Sequence, residues 1–238
     1  SSDVCSSDLR VAADKPFLTE EQMERRLAWA TERRNWTIRK WRTVLWSDET
    51  HIEIWSQFRG YRVRRPSTMS RFHASVLRRS VKHPAKIMIW GSFGNGRLGR
   101  VMFCPPNSRM GWRMYLEDVL KKHLRASLTM TNTKVFMQDG APCHRANNVG
   151  VWFALNNYQV LPWVGQSPDL NPIEHLWTKL KNIVSEQGAA RNLKELTVKI
   201  KRAWRILAGD TEYLYRLCDS MPNRCEAVIQ SQGDVTKY

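Results

Sequence analysis

Three acidic residues stand in surroundings that a fold could bring together: Asp48 in VLWSDET, Asp139 in VFMQDGAPCH and Glu174 in SPDLNPIEHLW. Between the second and the third lie 34 residues. Each acid falls where a strand is expected to end or a helix to begin, so one sheet edge can gather all three. Like charges held about 4 Å apart repel by about 4 kcal/mol at an effective dielectric of 20. A fold that keeps such a group together must neutralise it with protons or with metal. Hard carboxylate oxygens select Mg2+ or Mn2+. A pair of such ions activates a water or a 3′-hydroxyl and stabilises the leaving oxygen of an in-line phosphoryl transfer. The expected chemistry is the cutting and joining of a phosphodiester backbone.

Each acid alone has a plainer explanation. Asp48 can cap a turn with Thr50, and Asp139 before Gly140 suits ordinary turn chemistry. Glu174, three residues after Asn171, can close a capping box. Their joint occurrence is what favours a site.

Charge points the same way. Lys and Arg number 38 against 22 Asp and Glu, a formal net charge of +16. Such an excess favours a polyanionic partner, nucleic acid foremost. Arg59, Arg62, Arg64 and Arg65, then Arg71, Arg78, Arg79 and Lys82, cluster before the second strand. Lys121, Lys122, Lys179, Lys181, Lys199, Lys201 and Arg202 add charge on helices. Phosphate contacts give affinity without sequence choice, and Arg62, Arg64 and Arg65 are the leading candidates for them.

Apolar residues make up 42% of the 238, enough for one large domain or a domain with an appendage. No apolar run approaches the ~20 residues of a membrane helix, and no secretory signal opens the chain. The five cysteines (Cys5, Cys104, Cys143, Cys218 and Cys225) show no CxxC spacing. That favours reduced thiols in the cytosol or nucleus. Cys143-His144, without a second ligand pair, suits ordinary packing better than zinc.

The positioning elements follow from patterning. Residues 1–14 read as a tail without periodicity, and 15–42 as a linker helix opened by a Thr19/Gln22 capping box with Leu18 stapled onto Met23. Its modest stripe of Met23, Leu27 and Ala30 predicts a helix that leans on the main domain. Val44-Leu45-Trp46 starts a strand ending at Asp48, and His51 to Trp55 alternates. Lys86–Phe93 and Leu98–Phe103 flank a Gly94-Asn95-Gly96 turn, which suggests an antiparallel meander. Trp112–Leu124 has helical periodicity. Val135-Phe136-Met137, unbroken and apolar, reads as a strand covered on both faces. A helix near 145–156 and a strand at 159–161 follow. A Pro-rich loop then leads into helix 172–185, with Asn171 as N-cap and Pro172 at its first position. Residues 43–190 thus form an α/β domain with a mixed five-stranded sheet flanked by helices, and 191–238 a helical C-terminus.

SDET, IMIWGSF, QDGAPCH and above all LPWVGQSPDLNPIEHLW resemble the catalytic domain of mariner superfamily transposases, from about Lys15 to Tyr238. The 34-residue gap and the glutamate match the Tc branch. The resemblance implies a ribonuclease H-like fold, Mg2+ dependence with Mn2+ able to substitute, and cut-and-paste transposition. It makes Asp48, Asp139 and Glu174 the metal ligands. His144 and Asn171 fall beside them as supporting or DNA-contacting residues, while Trp163, Pro168 and Pro172 would fix the loop presenting Glu174. Expected partners are double-stranded DNA, as transposon ends and TA-containing target, with a homodimer on DNA in the nucleus. Two positions depart from the branch pattern: Gly140 stands where Asn is usual, and Val164 where Pro is. Paired helix-turn-helix domains do not fit before Lys15, so recognition of a terminal repeat is expected to be missing, as in a truncated copy. The alternative is an inactive, transposase-derived DNA-binding protein.

Overall fold

The computed structural model describes residues 17–54, 64, 66–70, 73, 84–106 and 108–238. Helices α1 (Glu20–Glu32) and α2 (Ile38–Trp41) precede strands β1 (Val44–Glu53), β2 (Lys86–Gly94) and β3 (Arg97–Phe103). Next come α3 (Trp112–Met114), a π-helical stretch Tyr115–Leu124, and α4 (Arg125–Thr131). Then follow β4 (Val135–Met137), α5 (Asn147–Leu155), β5 (Gln159–Val160) and a 3-10 turn Pro168–Leu170. Helices α6 (Ile173–Glu186), α7 (Leu193–Gly209), α8 (Thr211–Asp219) and α9 (Met221–Gln230) close the chain.

The sheet has the order β3-β2-β1-β4-β5. Pairing is antiparallel among β1, β2 and β3, and parallel from β1 to β4 and from β4 to β5. The expected mixed five-stranded sheet with a helical C-terminus is therefore the one observed. Two details differ. Asp48 does not end its strand: β1 runs unbroken through Glu53, and Asp48 lies opposite Gly91 of β2. The alternating segment from His51 is the second half of that strand. Nor is the β1–β2 link a short turn, since residues 54–85 intervene; only β2–β3 closes tightly. Asn95 (φ 48°) and Gly96 (φ 70°) give that hairpin the left-handed pair that matches strand twist.

Because strand side chains alternate between faces, β1 divides its residues between two cores. Val44, Trp46 and Ile52 join Met137 and the helices α6 to α9 in the larger cluster. Leu45 joins Phe136, Trp90, Tyr115, Val119 and Phe153 in the smaller one. β4 is thereby covered on both faces, as its unbroken apolar run requires. The capping box at Thr19 forms, and α1 leans on the domain by one face: Trp29 and Ala30 join the larger core, while Glu20, Glu24, Arg25 and Thr31 are exposed. The N-cap of α6 also differs from expectation. Pro172 occupies it, and Asn171 stands one residue outside, its Oδ1 accepting the Ile173 N–H at 3.4 Å.

Candidate active site

The parallel register decides where the acids emerge. β4 pairs with β1 only as far as Trp46–Met137, so past the end of β4, strand β1 keeps only its β2 neighbour. Ser47 Oγ donates to the Met137 carbonyl at 2.8 Å, sealing that edge. Asp48 shares the face of Trp46, and Asp139 follows two residues after Met137. Helix α6 lies across this face with Ile173, Leu176, Trp177 and Leu180 buried, which leaves Glu174 half-buried at the margin. Asp48, Asp139 and Glu174 all line one cavity of about 670 Å³. Arg25, Arg145, Trp163, Gln166 and Asn171 share its wall.

The plainer roles fare unequally. Asp48 is mid-strand and caps no turn. Glu174 closes no capping box, because α6 has no side-chain cap. Asp139 does make its turn, accepting the Ala141 N–H at 2.9 Å, and it faces the cavity as well.

Electrostatics separate the acids. Burial raises the pKa of Asp48 well above the carboxylate range, and the charges of Glu49, Glu174 and Asp139 add to it. Burial also raises Glu174, with Asp139 adding and Lys181 opposing. Asp139 is held low: burial opposes this, but His144 and the Ala141 N–H outweigh it. Asp48 accepts from the indole Nε1 of Trp177 at 3.2 Å, and Asp139 Oδ1 lies 2.6 Å from His144 Nδ1.

These internal partners bear on whether the residues suit a metal. The donors are all hard oxygen, and the burial and mutual repulsion that raise Asp48 and Glu174 are what a dication relieves. The set therefore fits. Among the described residues no three His, Cys, Asp or Glu side chains stand close enough to hold an ion as oriented.

His144 is not placed to touch DNA. It is buried between the Tyr115 ring, 4.1 Å away between centroids, and Glu49. Its Nε2 lies 3.4 Å from Glu49 Oε1, without the alignment of a hydrogen bond. Burial opposes charging this imidazole, but its contacts with Asp139, Cys143 and Glu49 raise its pKa far above the usual value. Asn171 is buried too, at the cavity wall. Arg64 is exposed, while Arg62 and Arg65 lie outside the described residues. Several helix lysines are engaged internally: Lys121 with Glu117, Lys122 with Asp118, Lys179 with Asp210, and Lys199 with carbonyls of residues 187–189. Reasoning from sequence missed Trp177 and Glu49 as partners of the acids. The first belonged to a core stripe, and the second faces away from Asp48 by strand alternation.

A five-stranded mixed sheet gathers three acids on one cavity, an arrangement suited to metal-assisted phosphoryl transfer, and comparison with known proteins supplies the family. Residues 43–197 match the family model described as DDE superfamily endonuclease. The Tc1 transposase of Caenorhabditis elegans is 33% identical over 232 residues, covering 96% of this chain and 82% of that protein. The Tcb1 transposase of Caenorhabditis briggsae is 32% identical over 229 residues, 94% of this chain and 81% of the relative. Among solved structures, the Mos1 transposase paired-end complex with left transposon end superposes with a TM-score of 0.83 at 21% identity, covering 98% of this chain and 69% of that one. The catalytic domain of Mos1 mariner transposase gives 0.72 at 20%, covering 94% and 100%. The chain belongs to the DDE superfamily, as a transposase catalytic domain of the Tc1/mariner family with a ribonuclease H-like fold. Its family cleaves and transfers DNA strands with divalent metals.

Proposed function

We propose that Asp48, Asp139 and Glu174 are the metal ligands and catalytic acids of this transposase domain, with Mg2+ as the working ion and Mn2+ a substitute. The observation that carries the reading is their convergence on one cavity from β1, the end of β4 and the first turn of α6. When bound, a dication pair there would activate a water or the 3′-hydroxyl of a DNA strand and stabilise the leaving oxygen. The chain's own part is to hold the carboxylates ready. Trp177 orients Asp48, and the charged His144 keeps Asp139 ionised and turned. The Pro168–Leu170 turn and Pro172 fix the start of α6, and with it Glu174. Arg25 and Arg145 on the cavity wall would meet phosphates flanking the reacting one.

The substrate is double-stranded DNA, nicked at transposon ends and joined by 3′-hydroxyl attack to a TA step in target DNA. A homodimer acting in the nucleus is the assembly we favour; relatives in paired-end complexes support two copies. Strand transfer of pre-cut ends with Mn2+, alongside calorimetric Mn2+ titration, tests the assignment. Asp48→Asn, Asp139→Asn and Glu174→Gln are each expected to abolish transfer and weaken Mn2+ binding. Full activity in Asp139→Asn would refute it.

A further inference from the structure

Asp169, five residues before Glu174, faces away from the cavity and is buried at 6% exposure. Its carboxylate receives both arms of the Arg26 guanidinium, Nη1 at 2.8 Å and Nη2 at 2.7 Å. Oδ2 also accepts the Thr236 N–H and Oγ1–H, each at 3.0 Å. Its backbone carbonyl accepts from Arg224 Nη1. Arg26 lies on α1, Arg224 on α9, and Thr236 in the segment after α9, so one residue, through its side chain and its carbonyl, joins α1, α9 and the segment after it to the loop.

Arg26 uses its remaining donors on the same junction. Nε donates to the Gly233 carbonyl at 2.8 Å, Nη1 to Gln166 at 3.2 Å and Nη2 to Asp234 at 3.2 Å. The loop is thereby gripped at Gln166 and at Asp169, with Arg26 fully satisfied in a site closed to water. From the grip to Glu174 there is little slack. Leu170 N–H bonds to Ser167 at 3.2 Å, Asn171 N–H to Pro168 at 3.0 Å and Glu174 N–H to Asn171 at 3.2 Å. Leu170 and Ile173 are fully buried, and Pro172 cannot rotate about φ. Arg25, next to Arg26, lines the cavity itself.

We infer that Asp169 is a positioning residue for the reaction: through Arg26, Arg224 and Thr236 it uses α1 and the C-terminal segment to set where Asn171 and Glu174 stand in the cavity. The inference rests on the assignment of Glu174 as a metal ligand. It makes α1 and the C-terminal segment supports for the loop that forms part of the active-site wall. Supporting residues around metal ligands commonly change metal affinity or activity by about 10–100-fold when removed; Asp169 acts on Glu174 through the loop between them rather than by contact.

The test compares Asp169→Asn with Asp219→Asn, which breaks the half-buried Arg42–Asp219 pair elsewhere in the fold. Amide hydrogen exchange, Mn2+ calorimetry and Mn2+-dependent nicking of a DNA end are measured on chains shown by circular dichroism to be folded. Asp169→Asn is expected to speed exchange at residues 170–174, weaken Mn2+ binding and lower kcat by about 10–100-fold, with KM for DNA unchanged. Asp219→Asn is expected to leave all four as in the parent. If Asp169→Asn fails to fold, Thr236→Val removes one donor and must shift the same quantities in the same direction. Unchanged exchange at 170–174 in either loop variant overturns the positioning role, whatever the metal does. Faster exchange with undiminished Mn2+ binding and kcat overturns its link to catalysis. A parent that shows neither Mn2+ binding nor nicking refutes the metal assignment and removes the premise.

Discussion

Gly91 sits opposite Asp48 in the β1–β2 register, and the space above it is taken by two indoles. A Cβ there would lie 2.7 Å from Cη2 of Trp177 and 3.0 Å from Cη2 of Trp204. Carbon atoms pack at about 3.5–4.0 Å, so Gly91→Ala must push Trp177 back by about 1 Å. That indole donates to Asp48 at 3.2 Å, and a retreat of this size takes the bond beyond useful length. Overpacking of this kind costs about 1–3 kcal/mol. At about 2–4 °C per kcal/mol for a chain of this size, Tm should fall by about 2–12 °C. Without its donor Asp48 holds a proton more tightly, so Mn2+ binding should weaken most at low pH. Differential scanning calorimetry and Mn2+ titration across pH 6–8.5 read both effects. A Gly91→Ala protein with unchanged Tm and an unchanged pH profile of Mn2+ binding would refute the claim that this glycine makes room for the residue that orients Asp48.

Gly140 behaves oppositely: a Cβ there meets nothing within 4 Å. Gly140→Asn should change stability by no more than about 0.5 kcal/mol by urea denaturation, so the departure at this position is not a packing necessity. Acid stability should report Asp169. Burial opposes ionisation there, but Arg26 and Thr236 hold its pKa below the ordinary carboxylate value. A depressed native pKa stabilises the fold above the unfolded value and loses that contribution as pH falls through the native one. The stability gap between parent and Asp169→Asn, up to about 3–5 kcal/mol for a broken buried pair, should be full at pH 6 and shrink below pH 4 in pH-dependent urea melts. His144→Ala should leave Glu49 facing an unpartnered void, at a cost of about 1–3 kcal/mol, and raise the pKa of Asp139 in a carbon-detected NMR titration.

Much of this architecture was legible because it is written in short-range patterns. The apolar run in Lys86–Gly94, the Gly94-Asn95-Gly96 turn, the apolar run before Asp139 and the 3.6-residue stripe of α6 each specify an element locally. The relation of Asp48 to Asp139 followed once β1 and β4 were taken as neighbours. What could not be read was long-range. Asp48 looked like a strand end because Ser47-Asp48-Glu49-Thr50 is polar, yet pairing with β2 carries the strand through it. Nothing near Arg26 in sequence announces a carboxylate 143 residues away.

The same strand alternation explains why the site needs partners on both sides of the sheet. Asp48 and Glu49 are adjacent in sequence but point to opposite faces. One meets Trp177 from α6; the other meets His144, which stacks on Tyr115 from the π-helical stretch. Since His144 also reaches Asp139, a carboxylate that never lines the cavity helps settle the charge state of one that does. The polar run that interrupts the apolar start of β1 is therefore two-sided by necessity: one acid for the cavity, and one to hold the cation that keeps its neighbour in place.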